Sequence, residues 1–201
     1  MKDIDIRVKK RAGRITLQRP NALNAITYDM CNAIEHALLA WRENDTIDLI
    51  VIDALGHASM NMGARAARAE IKTFRHNDAE DLSALLTENR KTFGTCLVVT
   101  EGVFSMDGDR APIDRLAAVA SDNDAWLMVD DAHGFGVLGG GRGSAWEFDP
   151  HPDIPLQMGT LSKAVGVYGA FLCASAPVID LMKNRARSLV YTTALPPAII
   201  A

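Results

Sequence analysis

Six short apolar runs, separated by stretches with helix signals, constrain this chain of 201 residues more than any other feature. They cover 49–52, 71–74, 96–100, 127–130, 156–159 and 170–174. Short continuous apolar runs are how strands buried on both faces read. Between them, 58–69 is rich in alanine, and Asp78 is placed to cap a helix reaching about residue 89 with Leu82, Leu85 and Leu86 inward. Pro112 suits the first turn of a helix over 113–120. This alternation predicts an α/β fold, a mostly parallel sheet flanked by helices.

The chain before the sheet reads differently. Ile4, Ile6 and Val8 alternate with Asp5, Arg7 and Lys9, the pattern of a half-buried strand. A turn is expected at Ala12 and Gly13, with a return strand over 14–17 that ends before Pro20. Thr27 is a candidate N-cap, and Met30, Ile34, Leu38 and Trp41 recur at helical spacing. A β-hairpin plus one helix over 28–43, with those four side chains turned inward, is the expectation.

Composition excludes several function classes. The net charge is −4 with both signs interspersed, which gives no electrostatic basis for binding nucleic acid or an anionic membrane. No apolar run approaches membrane-spanning length, and the charged start has no signal-peptide core. Cys31, Cys96 and Cys173 are far apart, which points to reduced, buried thiols and a cytoplasmic protein.

Two of the runs end in chemistry. The first leads into Asp130, Asp131, Ala132, His133 and Gly134. The C-terminal end of a buried parallel strand is where open α/β sheets place their sites. The second leads into Gly159, Thr160, Leu161, Ser162, Lys163 and Ala164. A lysine among small residues at a strand end is readily desolvated, and a desolvated amine is a nucleophile toward a carbonyl. Asp, His and Lys at strand ends are the parts that hold pyridoxal 5′-phosphate (PLP). A competing reading is a metal site made of Asp130, Asp131 and His133; adjacent strand residues point to opposite faces, which weighs against it. The glycines of 139–144 lack the lysine of a phosphate loop and read as a flexible edge loop. His76, Asn77 and Asp78 read as a helix start.

From about Asp53 onward the chain resembles the α-oxoamine synthases, fold-type-I PLP enzymes, in the branch that serves biotin synthesis. The resemblance is carried in order by 53–59, 74–78, 100–109, 129–134, 159–164 and 191–197. It implies the truncated large domain of that fold. It implies that Lys163 bonds the cofactor covalently and moves the substrate's α-proton, that Asp130 pairs with the pyridine nitrogen, and that His133 and Ser105 lie at the phenolic oxygen. His57 would stack on the ring and Thr160 would bind phosphate. Thr193 would reach the phosphate of a partner subunit's cofactor, which implies a homodimer. Lys163 and His133 are then the catalytic pair. The implied reaction condenses an amino acid, L-alanine, with an acyl-CoA such as pimeloyl-CoA, with decarboxylation. The family's phosphate cradle lies upstream of the stacking histidine and its substrate-carboxylate arginine lies beyond Ala201, so weak cofactor binding and doubtful turnover are expected.

Residues 13–17 and 19–25 resemble a second family, the opening of crotonase-superfamily proteins, whose corresponding segment lies along bound CoA. No catalytic residue of that family can be carried over. The chain therefore reads as a chimera of a crotonase-like segment over 1–53 and a partial PLP-dependent transferase domain over 54–201. The alternative function is a non-catalytic chimeric fragment or a crotonase-type acyl-CoA binding protein.

Overall fold

The structure, a computed structural model, describes residues 3–9, 12–18, 22, 27–43, 49–67 and 69–200. It divides into two compact units, Met1–Ile47 and Asp48–Ala201.

In the first unit, β1 (Ile4–Lys9) pairs antiparallel with β2 (Ala12–Leu17), Ile4 opposite Leu17 and Ile6 opposite Ile15. Ala12 and Gly13 lie within β2, not in the turn expected of them. The helix α1 (Tyr28–Glu43) begins at Thr27, whose Oγ1 accepts the Met30 N–H at 3.3 Å. Met30 is buried and Ile34 half-buried; the side chains of Leu38 and Trp41 lie outside the described residues. The same holds, apart from Ala22, for the crotonase-like stretch 19–25.

The second unit is a six-stranded sheet. Its strands are β3 (Leu49–Asp53), β4 (Glu70–Phe74), β5 (Cys96–Glu101), β6 (Trp126–Asp130), β7 (Leu156–Thr160) and β8 (Ala170–Cys173), in the spatial order β4-β3-β5-β6-β7-β8. All neighbours are parallel except β7 and β8. Strand β4 extends the sheet on one side of β3, and β5 restarts it on the other. The switch in winding therefore falls between β3 and β5, and the carboxyl ends beside such a switch are where open α/β sheets bind ligands.

Helices on both faces account for the strands' apolar character. On one face Leu49, Val51, Val98, Leu127 and Val129 pack with Leu82 and Leu86 of α3 (Ala79–Asn89) and with Ile113, Leu116 and Ala120 of α4 (Ile113–Asp122). On the other face Ile50, Ile52 and Val99 pack with Ala64 of α2 (Ala58–Ala66). Asp78 caps α3, its Oδ1 accepting the Asp81 N–H at 2.9 Å, and Pro112 stands at the start of α4. Three further helices, α5 (Ala176–Arg185), α6 (Arg187–Val190) and α7 (Pro197–Ile200), follow the sheet.

Two expectations need correction. Cys96 is buried and burial pushes its thiol up to about 11, but Cys31 on α1 and Cys173 at the end of the edge strand β8 are exposed. Residues 139–144 form hydrogen-bonded turns, not an open loop: Gly136 N–H donates to Gly141 O at 3.0 Å, and Gly143 N–H to Leu138 O at 3.0 Å. Gly143 has φ +115°, and a β-carbon there would overlap the Asp131 carboxylate.

Candidate cofactor site

Strand register brings the first pair of groups together. Glu101 and Asp130 are the last residues of β5 and β6 and are partners in register, so both side chains leave the sheet on one face. They extend the face of Val99 and Met128. Asp130 is 9% exposed, and its Oδ1 accepts the Ala132 N–H at 3.0 Å, which turns the chain sharply toward His133. Glu101 is 4% exposed.

His57 enters from the turn after β3. Its backbone N–H donates to Glu101 Oε1 at 2.7 Å, a bond that spans the switch between β3 and β5. The ring caps α2: Nδ1 accepts the Ser59 N–H at 3.2 Å, and Ser59 Oγ lies at 2.8 Å. That contact leaves the lone pair on Nδ1 and the proton on Nε2.

Lys163 arrives on the β7–β8 loop. Leu161 N–H donates to Gly169 O at 2.8 Å and Gly166 N–H to Lys163 O at 3.1 Å, which folds 161–169 back on itself. Gly136 closes this loop against the turn after β6; a β-carbon there would come within 2.9 Å of the Ala164 Cβ. Lys163 is exposed, as are its neighbours over 162–168, where the sequence implied desolvation. Its amine has no hydrogen-bond or ion-pair partner among the described residues.

Electrostatics tie the groups into one site. The His133 ring is pulled down by burial and by the charges of Lys163 and His57, with Asp130 opposing. Burial pushes the Glu101 carboxyl up, with the His57 N–H, His57 and Lys163 opposing and Asp130 adding to the rise. Glu101 and His133 thus each feel the charges of Asp130, His57 and Lys163 at the C-terminal end of the sheet. A lysine amine and one Asp130 oxygen without partners among the described residues, together with two imidazoles, form a donor set that fits the ring and aldehyde of PLP.

The other expected residues stand apart. Thr160 ends β7, and its Oγ1 donates to Gly169 O at 3.0 Å while accepting the Ser162 N–H at 3.2 Å. Ser105 is exposed in a turn closed by Gly108 N–H to Phe104 O at 2.8 Å. Thr193 is exposed between α6 and α7. Neither Ser105 nor Thr193 is bonded to the group among the described residues. Asp131 turns away from the site and binds Ser144, accepting its N–H at 2.9 Å and its hydroxyl. No group of three or more side chains suited to a metal ion occurs among the described residues.

Sequence reasoning missed three acids and one base. Glu101 follows an apolar run as Asp130 does, and that position was the available signal. Asp53 ends β3 with its side chain buried, and its oxygens accept the Leu55 N–H at 2.9 Å, the Asn77 N–H at 3.0 Å and the His76 Nδ1 proton at 2.8 Å. His76 Nε2 donates to Asp109 Oδ2 at 2.6 Å. A cleft of about 350 Å³ runs between α4 and the 148–153 loop, and no site residue lines it.

A family model described as aminotransferase class I and II matches residues 12–201, including the stretch that resembles crotonases. An 8-amino-7-oxononanoate synthase of Beijerinckia indica is 58% identical over 154 residues, 77% of this chain and 40% of that protein. One of Methylocella silvestris is 56% identical over 151 residues, 75% of this chain and 43% of that protein. Among solved structures, a serine palmitoyltransferase from S. paucimobilis with a bound PLP–myriocin aldimine superposes with a TM-score of 0.71 at 37% identity, over 76% of this chain and 40% of that one. An 8-amino-7-oxononanoate synthase from Francisella tularensis gives 0.62 at 34% identity, over 76% and 44%. The chain spans about two fifths of the length of the curated relatives it matches. The enzymes it resembles are PLP-dependent, and their large-domain architecture is the mostly parallel sheet described above.

Proposed function

Because the chain belongs to the aminotransferase class I and II family, we propose that it holds PLP at Lys163 and carries the cofactor-binding half of an 8-amino-7-oxononanoate synthase-like acyltransferase. The observation that carries this reading is the meeting of a free lysine, a buried aspartate and two histidines at the carboxyl ends of one sheet. The reaction class is condensation of L-alanine with an acyl-CoA of the pimeloyl type, with decarboxylation, in biotin synthesis.

PLP, when bound, supplies the electron sink that stabilises negative charge at the amino acid's α-carbon. Lys163 offers Nζ as the covalent anchor and, once released, as the base that takes and returns the α-proton. Asp130 offers its uncommitted oxygen to the ring nitrogen, and His133 a ring proton to the phenolic oxygen. His57 offers a flat ring to cover the pyridine. Ser105 and Thr160 offer hydroxyls to the phenolic oxygen and the phosphate. Thr193 serves the phosphate of a second copy, which makes the working form a homodimer. Exposed Val167, Tyr168, Leu189, Val190 and Tyr191 support such an assembly.

The test is reduction with borohydride in the presence of PLP, followed by mass mapping of the modified lysine. Label at Lys163 that disappears in Lys163→Ala is expected; label at another lysine overturns the site. Light scattering that finds only monomer overturns the dimer.

A second reading keeps residues 1–53 as a segment of crotonase origin joined to a transferase fragment without turnover. Against it stands the family model, whose match from residue 12 takes in most of that segment. Retention of CoA in equilibrium dialysis, with no PLP capture, would favour an acyl-CoA binding protein instead.

A further inference from the structure

We infer that Glu101 is a positioning residue of this site: its carboxyl group fixes the His57 peptide, and with it the plane of the His57 ring, across the crevice between β3 and β5. The link to cofactor binding rests on the reading of Lys163 as the PLP site; the link between Glu101 and His57 does not.

Two anchors define the ring. Glu101 Oε1 takes the His57 N–H at 2.7 Å across 44 residues of sequence. Ring Nδ1 accepts the Ser59 N–H at 3.2 Å. With the peptide and the ring each bonded, the imidazole has little freedom to tilt. The anchor is itself immobile, because Glu101 is the last residue of a central strand and is nearly fully buried. An exposed histidine at a helix start otherwise has no reason to hold one orientation.

Glu101 is also placed to report on the site's charge. Asp130 faces it from β6, His57 from the turn after β3, and Lys163 from the β7–β8 loop. Burial, helped by Asp130, raises the pH at which Glu101 ionises above the ordinary glutamate range. An ionised carboxylate is a stronger acceptor than a neutral one, so the grip on His57 tightens as Glu101 loses its proton. A glutamate that merely filled the strand end would leave the His57 amide indifferent to that ionisation.

The experiment compares Glu101→Gln, which keeps an acceptor oxygen but cannot ionise, with Glu101→Ala, which removes it. In the cofactor-free protein the His57 amide is followed by NMR against pH. A downfield amide whose shift titrates above the glutamate range is expected in the native chain. E101Q keeps the downfield shift and loses the part of the titration that Glu101 contributes, leaving that of the neighbouring imidazoles. E101A loses both, with amide exchange about tenfold faster or more. A His57 amide unchanged in E101A, or a titration in E101Q identical to that of the native chain, overturns the inference; where E101A does not fold, the E101Q titration decides alone. With PLP, E101A is expected to weaken binding about tenfold and to diminish the visible circular dichroism of the bound cofactor, and E101Q to bind within about threefold of the native chain. Native-like affinity and dichroism in a folded E101A overturn the role toward the cofactor. Failure of the native chain to take PLP at Lys163 overturns the site and leaves the amide measurement to decide the Glu101–His57 contact.

Discussion

His76 is held at both ring nitrogens by carboxylates, Asp53 at 2.8 Å and Asp109 at 2.6 Å, with the Phe104 ring edge-on at 4.4 Å. Carboxylates only accept, so both ring nitrogens donate and the imidazole is charged. Burial acts against that charge, but the hydrogen bonds and charges of Asp53 and Asp109 outweigh it and raise the pKa above 6.5. A raised histidine contributes stability that is complete below its unfolded value and is lost as pH rises through the folded one. The native chain is therefore expected to lose melting temperature above pH 6.5, and His76→Gln to lack that slope. The variant starts lower, since the Asp53 carboxylate loses a donor; a cost of about 2 kcal/mol corresponds to roughly 4–8 °C. Thermal melts across this range decide it, and an equal slope in both proteins would refute the assignment. His133 works the other way: its lowered pKa removes stability only as pH falls.

At the scale of elements, α3 shows how far periodicity reaches. Leu82 and Leu86 are fully buried against the sheet, while Leu85, one position off the stripe, is only partly covered. Leu86→Ala is expected to cost about 3 kcal/mol and Leu85→Ala about half that, measured by urea unfolding. Equal losses would mean that α3 is rotated from the position described. The same periodicity made the strands and most helix limits legible, because burial on both faces leaves short continuous apolar runs. That Asp130, His133 and Lys163 stand at or just beyond strand ends was legible for a related reason: each ends or closely follows one of those short apolar runs. Glu101 and the network of Asp53, His76 and Asp109 were not. Their meaning depends on which strands become neighbours, and the order β4-β3-β5 is not written in local pattern. The turns at 139–144 were misread because their order comes from Asp131 gripping Ser144, 13 residues away.

At the scale of the molecule, the balance of charge governs how firmly PLP is held. The ring and aldehyde have partners in Asp130, His57, His133 and Lys163. The phosphate is less well provided. Two carboxyl groups, Asp130 and Glu101, face the site, and among the described residues the lysine acting on Glu101 and His133 is Lys163, whose amine the aldehyde itself would consume. The Thr160 hydroxyl proton is committed to Gly169 O, so binding phosphate there breaks one hydrogen bond to make another. A desolvated phosphate needs several donors, and each one missing costs about a factor of ten. A dissociation constant on the order of micromolar or weaker is therefore expected despite the covalent bond to Lys163. Titrating PLP while following the absorbance of the lysine-bound cofactor measures it, and adding inorganic phosphate separates the two halves of the site. Phosphate should compete poorly, because it meets only the under-provided half. Submicromolar affinity for PLP, or displacement by millimolar phosphate, would show that donors outside the groups described here complete the phosphate site.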